Sequence, residues 1–164
     1  ASSAILLYKA GCLEGFMGRY RALMPAAVLA ELTVAGRPGG ARFAALARAG
    51  EVRVLPPCGT AAAVAAAADL DRLGTGERDC IRAYLGGQGD FLLMDDGRGA
   101  GFCRRAGIPY VNALLVPRLL DPRLPAPGPV QADMQRIVAL GRYAAWVLQK
   151  AARLTPAELA RFLP

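Results

Sequence analysis

Residues 73–115, LGTGERDCIRAYLGGQGDFLLMDDGRGAGFCRRAGIPYVNALL, alternate between helical and extended patterns in the order helix, strand, helix, strand. Strands joined by helical crossovers run parallel, so this stretch points to an α/β fold with helices flanking a parallel sheet. Thr75 is placed to cap a helix over residues 77–85, and Glu77 and Asp79 fall in its first turn, where acids suit the helix dipole. Residues 91–94 form an unbroken apolar run, as in a strand covered on both faces, and Asp95 and Asp96 end it. A helix over 98–106 is stopped by Gly107, a strand follows over 108–111, and a helix over 113–120.

The flanks extend the pattern. Residues 1–16 read as a helix entered through Ser2 or Ser3, with Gly11 as its weak point. A short strand over 20–24 ends at Pro25, which can sit in the first turn of a helix over 26–34. That helix carries Val28, Leu29 and Leu32, with Glu31 among them. GRPGG (36–40) is a turn, 41–49 a helix with Arg42 and Arg48 outward, 51–55 a strand, and the alanine-rich 60–74 a helix by propensity. DPRLPAPGP (121–129) breaks the chain. Beyond it a long helix over 130–154 places Val130, Met134, Ile137, Val138, Tyr143, Val147, Ala151 and Leu154 on one stripe. Thr155, Pro156 and Glu158 signal a last short helix ending at Phe162. The expected organisation is an α/β domain over 1–120, a linker over 121–129 and a helical extension over 130–164 packed on the same domain.

Composition narrows the chemistry. The chain has no His, which excludes a Ser–His–Asp triad and a Cys–His nucleophile. Cys12, Cys58, Cys80 and Cys103 are far apart, so a zinc site is not expected and four reduced, buried thiols are. Catalysis must then come from carboxylates, hydroxyls, Arg and a hard metal ion. Net charge is +7, and Lys9 and Lys150 are the only lysines. That balance fits either a polyanionic partner gripped by arginine or an Arg-rich codon bias. No apolar run approaches the length of a membrane span, and the N-terminus lacks a basic signal-peptide region, so the expected location is the cytoplasm.

In an open parallel sheet, ligands bind beyond the carboxyl ends of the strands. Asp95 and Asp96 leave a strand at that end, Glu77 begins a helix facing it, and Glu31 lies one turn into another helix that can face inward. Carboxylates gathered in one crevice repel each other unless a cation neutralises them, and an all-oxygen site suits Mg²⁺ or Mn²⁺. Such an ion activates water against a phosphodiester, and Arg98, Arg104, Arg105 and Arg118 around it would grip phosphate. A competing reading is a phosphate loop at Gly97, Gly99 and Gly101. Its spacing is GxGxG rather than GxGxxG, and two aspartates precede it.

The blocks PAAVLAEL (25–32), LGTGERDCIRAYL (73–85), FLLMDDGRGAGFCRRAGIPYV (91–111) and ALLVPRLL (113–120) resemble the successive blocks of a PIN domain, and ASSAILLYKAGCLE (1–14) resembles its opening. PIN domains are small metal-dependent ribonucleases, and many are the toxin of a bacterial toxin–antitoxin pair. The resemblance implies a PIN-like parallel sheet and metal-holding, catalytic roles for Glu31, Glu77 and Asp96. Asp95 is a further candidate ligand, and Ser2 and Asp79 are candidate helpers. It implies Mg²⁺ or Mn²⁺ as cofactor and RNA as substrate. An antitoxin protein, and a second copy packed through the C-terminal helices, are candidate partners. The family's first acid, an Asp closing a central first strand, would fall just before Ala1, so an upstream strand is expected. Without that Asp, the alternative is a catalytically inactive PIN-like module that binds RNA or protein.

Overall fold

The computed structural model describes residues 1–57 and 70–162. The alanine-rich helix expected over 60–74 falls mostly outside them, as does Cys58. The first expected helix is two. Helix α1 (Ser2–Ala10) ends at Gly11, which adopts a left-handed φ of 75° that closes the turn, and α2 (Leu13–Arg19) follows. Neither Ser2 nor Ser3 caps α1; its N-cap is Ala1, without a side-chain bond. Strand β1 (Ala22–Pro25) leads through Pro25 into α3 (Ala26–Leu32), and α4 (Gly40–Arg48) leads into β2 (Val52–Leu55). Helix α5 (Thr75–Leu85) begins two residues earlier than expected, so Thr75 lies inside it and Gly74 is the N-cap.

Strand β3 (Leu92–Leu93) is shorter than its apolar run, and Phe91 before it is only half-buried. Helix α6 (Gly97–Arg105) and strand β4 (Tyr110–Val111) follow. A 3₁₀ turn (Ala113–Leu115) then runs into α7 (Val116–Leu120).

The chain is a mixed α/β structure, mostly helical, with small parallel sheets and C-terminal helices. Among the described residues, the strands form two parallel pairs rather than one continuous sheet. In β1–β2, Ala22 pairs with Val52 and Pro25 with Leu55; in β3–β4, Leu92 pairs with Tyr110 and Leu93 with Val111. Between the pairs lies a cavity of about 380 Å³, lined on one side by Leu23 and Met24 and on the other by Phe91 and Leu92, with Leu7, Val28 and Cys80 on its walls.

The expected long C-terminal helix is also two: α8 (Gly128–Leu140) and α9 (Ala145–Arg153). The chain turns extended at Gly141, and the residue there is small for a steric reason. A Cβ there would lie 2.5 Å from the ring of Tyr143, which folds back over it. The expected stripe nevertheless faces inward. Ile137 and Ala151 are buried in the same cluster as Leu7, Ala10, Val28 and Leu114, and Val138, Tyr143 and Val147 pack against it. Arg136 ties α8 to the end of α1 by donating its Nε–H to the Ala10 carbonyl at 3.1 Å. The closing helix α10 (Pro156–Leu159) starts as expected: Thr155 Oγ1 accepts from the Glu158 N–H, and Glu158 accepts from the Thr155 N–H. No described helix is long and apolar enough to cross a membrane.

Candidate functional site

Asp96 stands at the carboxyl end of β3 and is the N-cap of α6. Its Oδ1 accepts from the N–H of Arg98 at 2.8 Å and of Gly99 at 3.2 Å. Those bonds fix the carboxylate's orientation. They also occupy the donors a phosphate would need, so Gly97–Gly99–Gly101 is not a phosphate loop. Gly99 is small for packing, since a Cβ there would meet the Met94 sulfur at 2.6 Å.

Glu77, in the first turn of α5, faces Asp96. Its carboxylate reaches back to accept the Gly74 N–H at 3.3 Å, the side-chain half of a capping box. Burial, and after it the negative charge of Asp96, holds the Glu77 carboxyl above the ordinary carboxylate range; the Gly74 N–H pulls the other way. The two expected acids are therefore near enough for the charge of one to act on the other.

Glu31 approaches the same helix start differently. It is exposed, and its Oε1 lies 2.8 Å from the point a Cβ on Gly76 would occupy, with Val28 at 3.1 Å. Gly76 is what allows α3 and α5 this close an approach. The Cys80 thiol, one turn along α5, is raised to about 11 by burial first, and by Asp79, Glu31 and Glu77 among the charges around it. Glu31 and Glu77 thus act on one common thiol, and that thiol stays protonated and inert. Cys12 and Cys103 are buried and free.

Asp95 is turned elsewhere. Its Oδ2 accepts from the Ala113 N–H at 2.9 Å, linking the end of β3 to the turn after β4. Its Oδ1 accepts from the Tyr143 hydroxyl at 2.6 Å. Burial first, and then Asp95, pushes the Tyr143 phenol above its ordinary range, so it remains the donor. Tyr143 is the site residue that sequence reasoning placed only in the apolar stripe. It is 48 residues from Asp95, and the break that aims it is not written in the helical periodicity. Tyr143→Phe is expected to remove a charge-assisted bond and lower stability by about 2 kcal/mol, a drop of about 6 °C in melting temperature, measured by thermal denaturation.

Of the four arginines expected around the site, Arg98, Arg104 and Arg105 are exposed. Arg98 sits in the first turn of α6 beside Asp96, while Arg104 and Arg105 lie about 9 Å further along its axis. Arg118 is the exception. It is 1% exposed and donates to the carbonyls of Arg123 at 2.6 Å, Leu154 at 3.0 Å and Pro122 at 3.3 Å, so it holds the C-terminal segment and is out of reach of phosphate. Ser2 is exposed, and Asp79 is half-buried within range of Cys80.

The family model described as DUF3368, PIN domain, matches residues 1–119. The chain belongs to the PIN domain family. No curated protein and no solved structure matches it. PIN domains are a family of nucleases and often use divalent metals. Among the described residues, no three acids or cysteines form a group that could hold a metal ion, so the expected cluster of Glu31, Glu77, Asp95 and Asp96 is not assembled as one set. The Glu77–Asp96 pair still fits a divalent cation of the Mg²⁺ type, which needs as few as one or two carboxylates when water and phosphate complete its shell.

The burial of Glu77, and after it the charge of Asp96, has a pH signature. Glu77 binds its proton more tightly in the folded chain than at its ordinary value of 4.5. Between that value and the elevated one, unfolding releases the proton, so stability falls as pH rises through the window. Glu77→Gln is expected to remove this decline and to raise the melting temperature of the metal-free PIN domain at neutral pH. Denaturation of both proteins from pH 3 to 7 checks it.

Proposed function

We propose that this chain is a Mg²⁺- or Mn²⁺-dependent endoribonuclease of the PIN type, acting as the toxin of a toxin–antitoxin pair, with RNA as substrate and an antitoxin as protein partner. The observation that carries the reading is the facing of Glu77 and Asp96 at the carboxyl end of a parallel strand, in a chain that belongs to a family of nucleases. Glu77 and Asp96 would hold the ion, with Glu31 closing from α3. The ion, when bound, supplies Lewis acidity toward the phosphodiester and an activated water.

The chain's own residues prepare that site. The two backbone bonds to Asp96 and the Gly74 bond to Glu77 orient the carboxylates before any ligand arrives. Preorganised charge of this kind needs no rearrangement at the moment of reaction. Asp95, held by Ala113 and Tyr143, fixes the turn that carries Asp96. Arg98, next to Asp96, is the cation best placed to bind a substrate phosphate.

The second reading is a catalytically inactive PIN domain that binds RNA or protein. It is favoured by one observation, the absence of a three-residue metal group among the described residues. Incubation of end-labelled single-stranded RNA with the purified protein and Mn²⁺ separates the two. Internal cleavage that EDTA abolishes is expected; intact RNA at high enzyme and Mn²⁺ concentration establishes the inactive reading instead.

A further inference from the structure

Helix α9 carries a face with no role in the site described so far. Trp146, Gln149, Lys150 and Arg153 are spaced three and four apart, so they share one side of the helix, and all four are exposed. The indole is 61% exposed. The opposite side of α9 is occupied, with Ala151 buried in the core and Val147 and Leu148 packed against it. With Leu154 and Glu158, the four residues line a shallow concavity of about 320 Å³. Among the described residues Glu158 is its one acid; that carboxylate accepts from the Thr155 N–H at 2.8 Å and the Thr155 hydroxyl at 2.9 Å, and the charge of Lys150 also acts on it. Neither Lys150 nor Arg153 forms an ion pair among the described residues.

We propose that this face of α9 is a platform for single-stranded RNA, on which a base stacks against Trp146 while Lys150 and Arg153 hold the flanking phosphates. The choice of RNA over other polyanions rests on the nuclease reading. The physical grounds are the company the indole keeps. A surface built for a protein partner presents contiguous apolar area with few charges at its centre. Here the aromatic ring stands among Gln149, Lys150 and Arg153, which is the combination that sequence-tolerant single-strand binding uses: a π-face for the base and cations for the backbone. A second copy docking face to face would bring two such cationic sets together, on a chain that already carries +7.

Trp146 is the only tryptophan in the chain, so intrinsic emission reports this position alone. The test is a titration of the whole protein with an unstructured oligouridine in EDTA, where no cleavage occurs, alongside anisotropy of the labelled RNA. Saturable quenching is expected. Trp146→Ala should weaken binding about tenfold with an unchanged melting temperature. Replacing Lys150 and Arg153 together by Gln should lower the slope of log affinity against log salt by about 1.4. Absence of binding, or binding with unchanged emission and the same affinity for Trp146→Ala, overturns the platform. So does emission that changes with protein concentration alone, together with loss of a dimer in Trp146→Ala, which assigns the face to a second copy. Quenching in EDTA without cleavage in Mn²⁺ keeps the platform and removes the nuclease. Cleavage with no effect of Trp146→Ala on affinity does the reverse.

Discussion

Asp96→Asn is expected to reduce Mn²⁺-dependent RNA cleavage by a factor on the order of 10²–10³ while leaving the fold in place, the loss typical of removing one preorganised electrostatic contact. The substitution is informative because Asp96 has two jobs that asparagine separates. As N-cap of α6 it accepts from Arg98 and Gly99, and asparagine caps a helix as well as aspartate does. As a charge it faces Glu77, and asparagine removes that charge. The variant should therefore melt at or above the wild-type temperature in the absence of metal, since it relieves the repulsion acting on Glu77. Asp96→Ala is the control: it loses the cap as well and should cost about 1 kcal/mol. Wild-type cleavage rates in Asp96→Asn would reduce Asp96 to a structural cap and remove the foundation of the nuclease reading. Melting curves and initial rates on the same preparations decide it.

Arg118→Ala is expected to destabilise the protein by about 3 kcal/mol, which lowers the melting temperature by about 6–12 °C in a chain of this size. Three carbonyls, those of Arg123, Pro122 and Leu154, lose their donor at about 1 kcal/mol each. The long side chain also leaves a void among buried neighbours. One effect opposes these. The guanidinium is buried without a hydrogen-bonded carboxylate, and replacing a buried charge by an apolar side chain of similar volume can be neutral. Arg118→Met, which keeps the stem, should accordingly cost less than Arg118→Ala. RNA affinity of Arg118→Ala, measured well below its melting temperature, should equal that of the wild type. A phosphate contact would behave oppositely, weakening affinity and salt dependence with no change in melting.

The two substitutions mark different relations between sequence and structure. That Asp95 and Asp96 end a strand and precede a helix could be read from the chain alone, because this is a local event: the apolar run, the two acids and the following glycines lie within a few residues of one another. Thr155 with Glu158 is another such case, and so is the inward stripe of residues 130–154, which survives the break because 3.6-residue periodicity records only which side of a helix is apolar. Glu77 facing Asp96 was legible one step less directly, through the rule that ligand-binding ends of parallel strands and the starts of flanking helices coincide.

What remained hidden depends on contacts between residues distant in the chain. Arg118 looks like any surface arginine until the carbonyl of Leu154, 36 residues on, closes over it. Asp95 and Asp96 are neighbours with the same chemistry, and nothing local says that one caps a helix beside Glu77 while the other binds Ala113 and Tyr143. Tyr143 reaches Asp95 because the chain breaks at Gly141, where only a residue without a Cβ leaves room for the ring. The alternation of residues 73–115 was enough to specify an α/β arrangement and the end of it where acids gather, since propensity, capping and hydrophobic period are properties of short stretches. Which of the two neighbouring aspartates caps α6, and which is bound to Ala113 and Tyr143, was settled by packing, because a hydrogen bond across 48 residues exists only once both ends have been buried together.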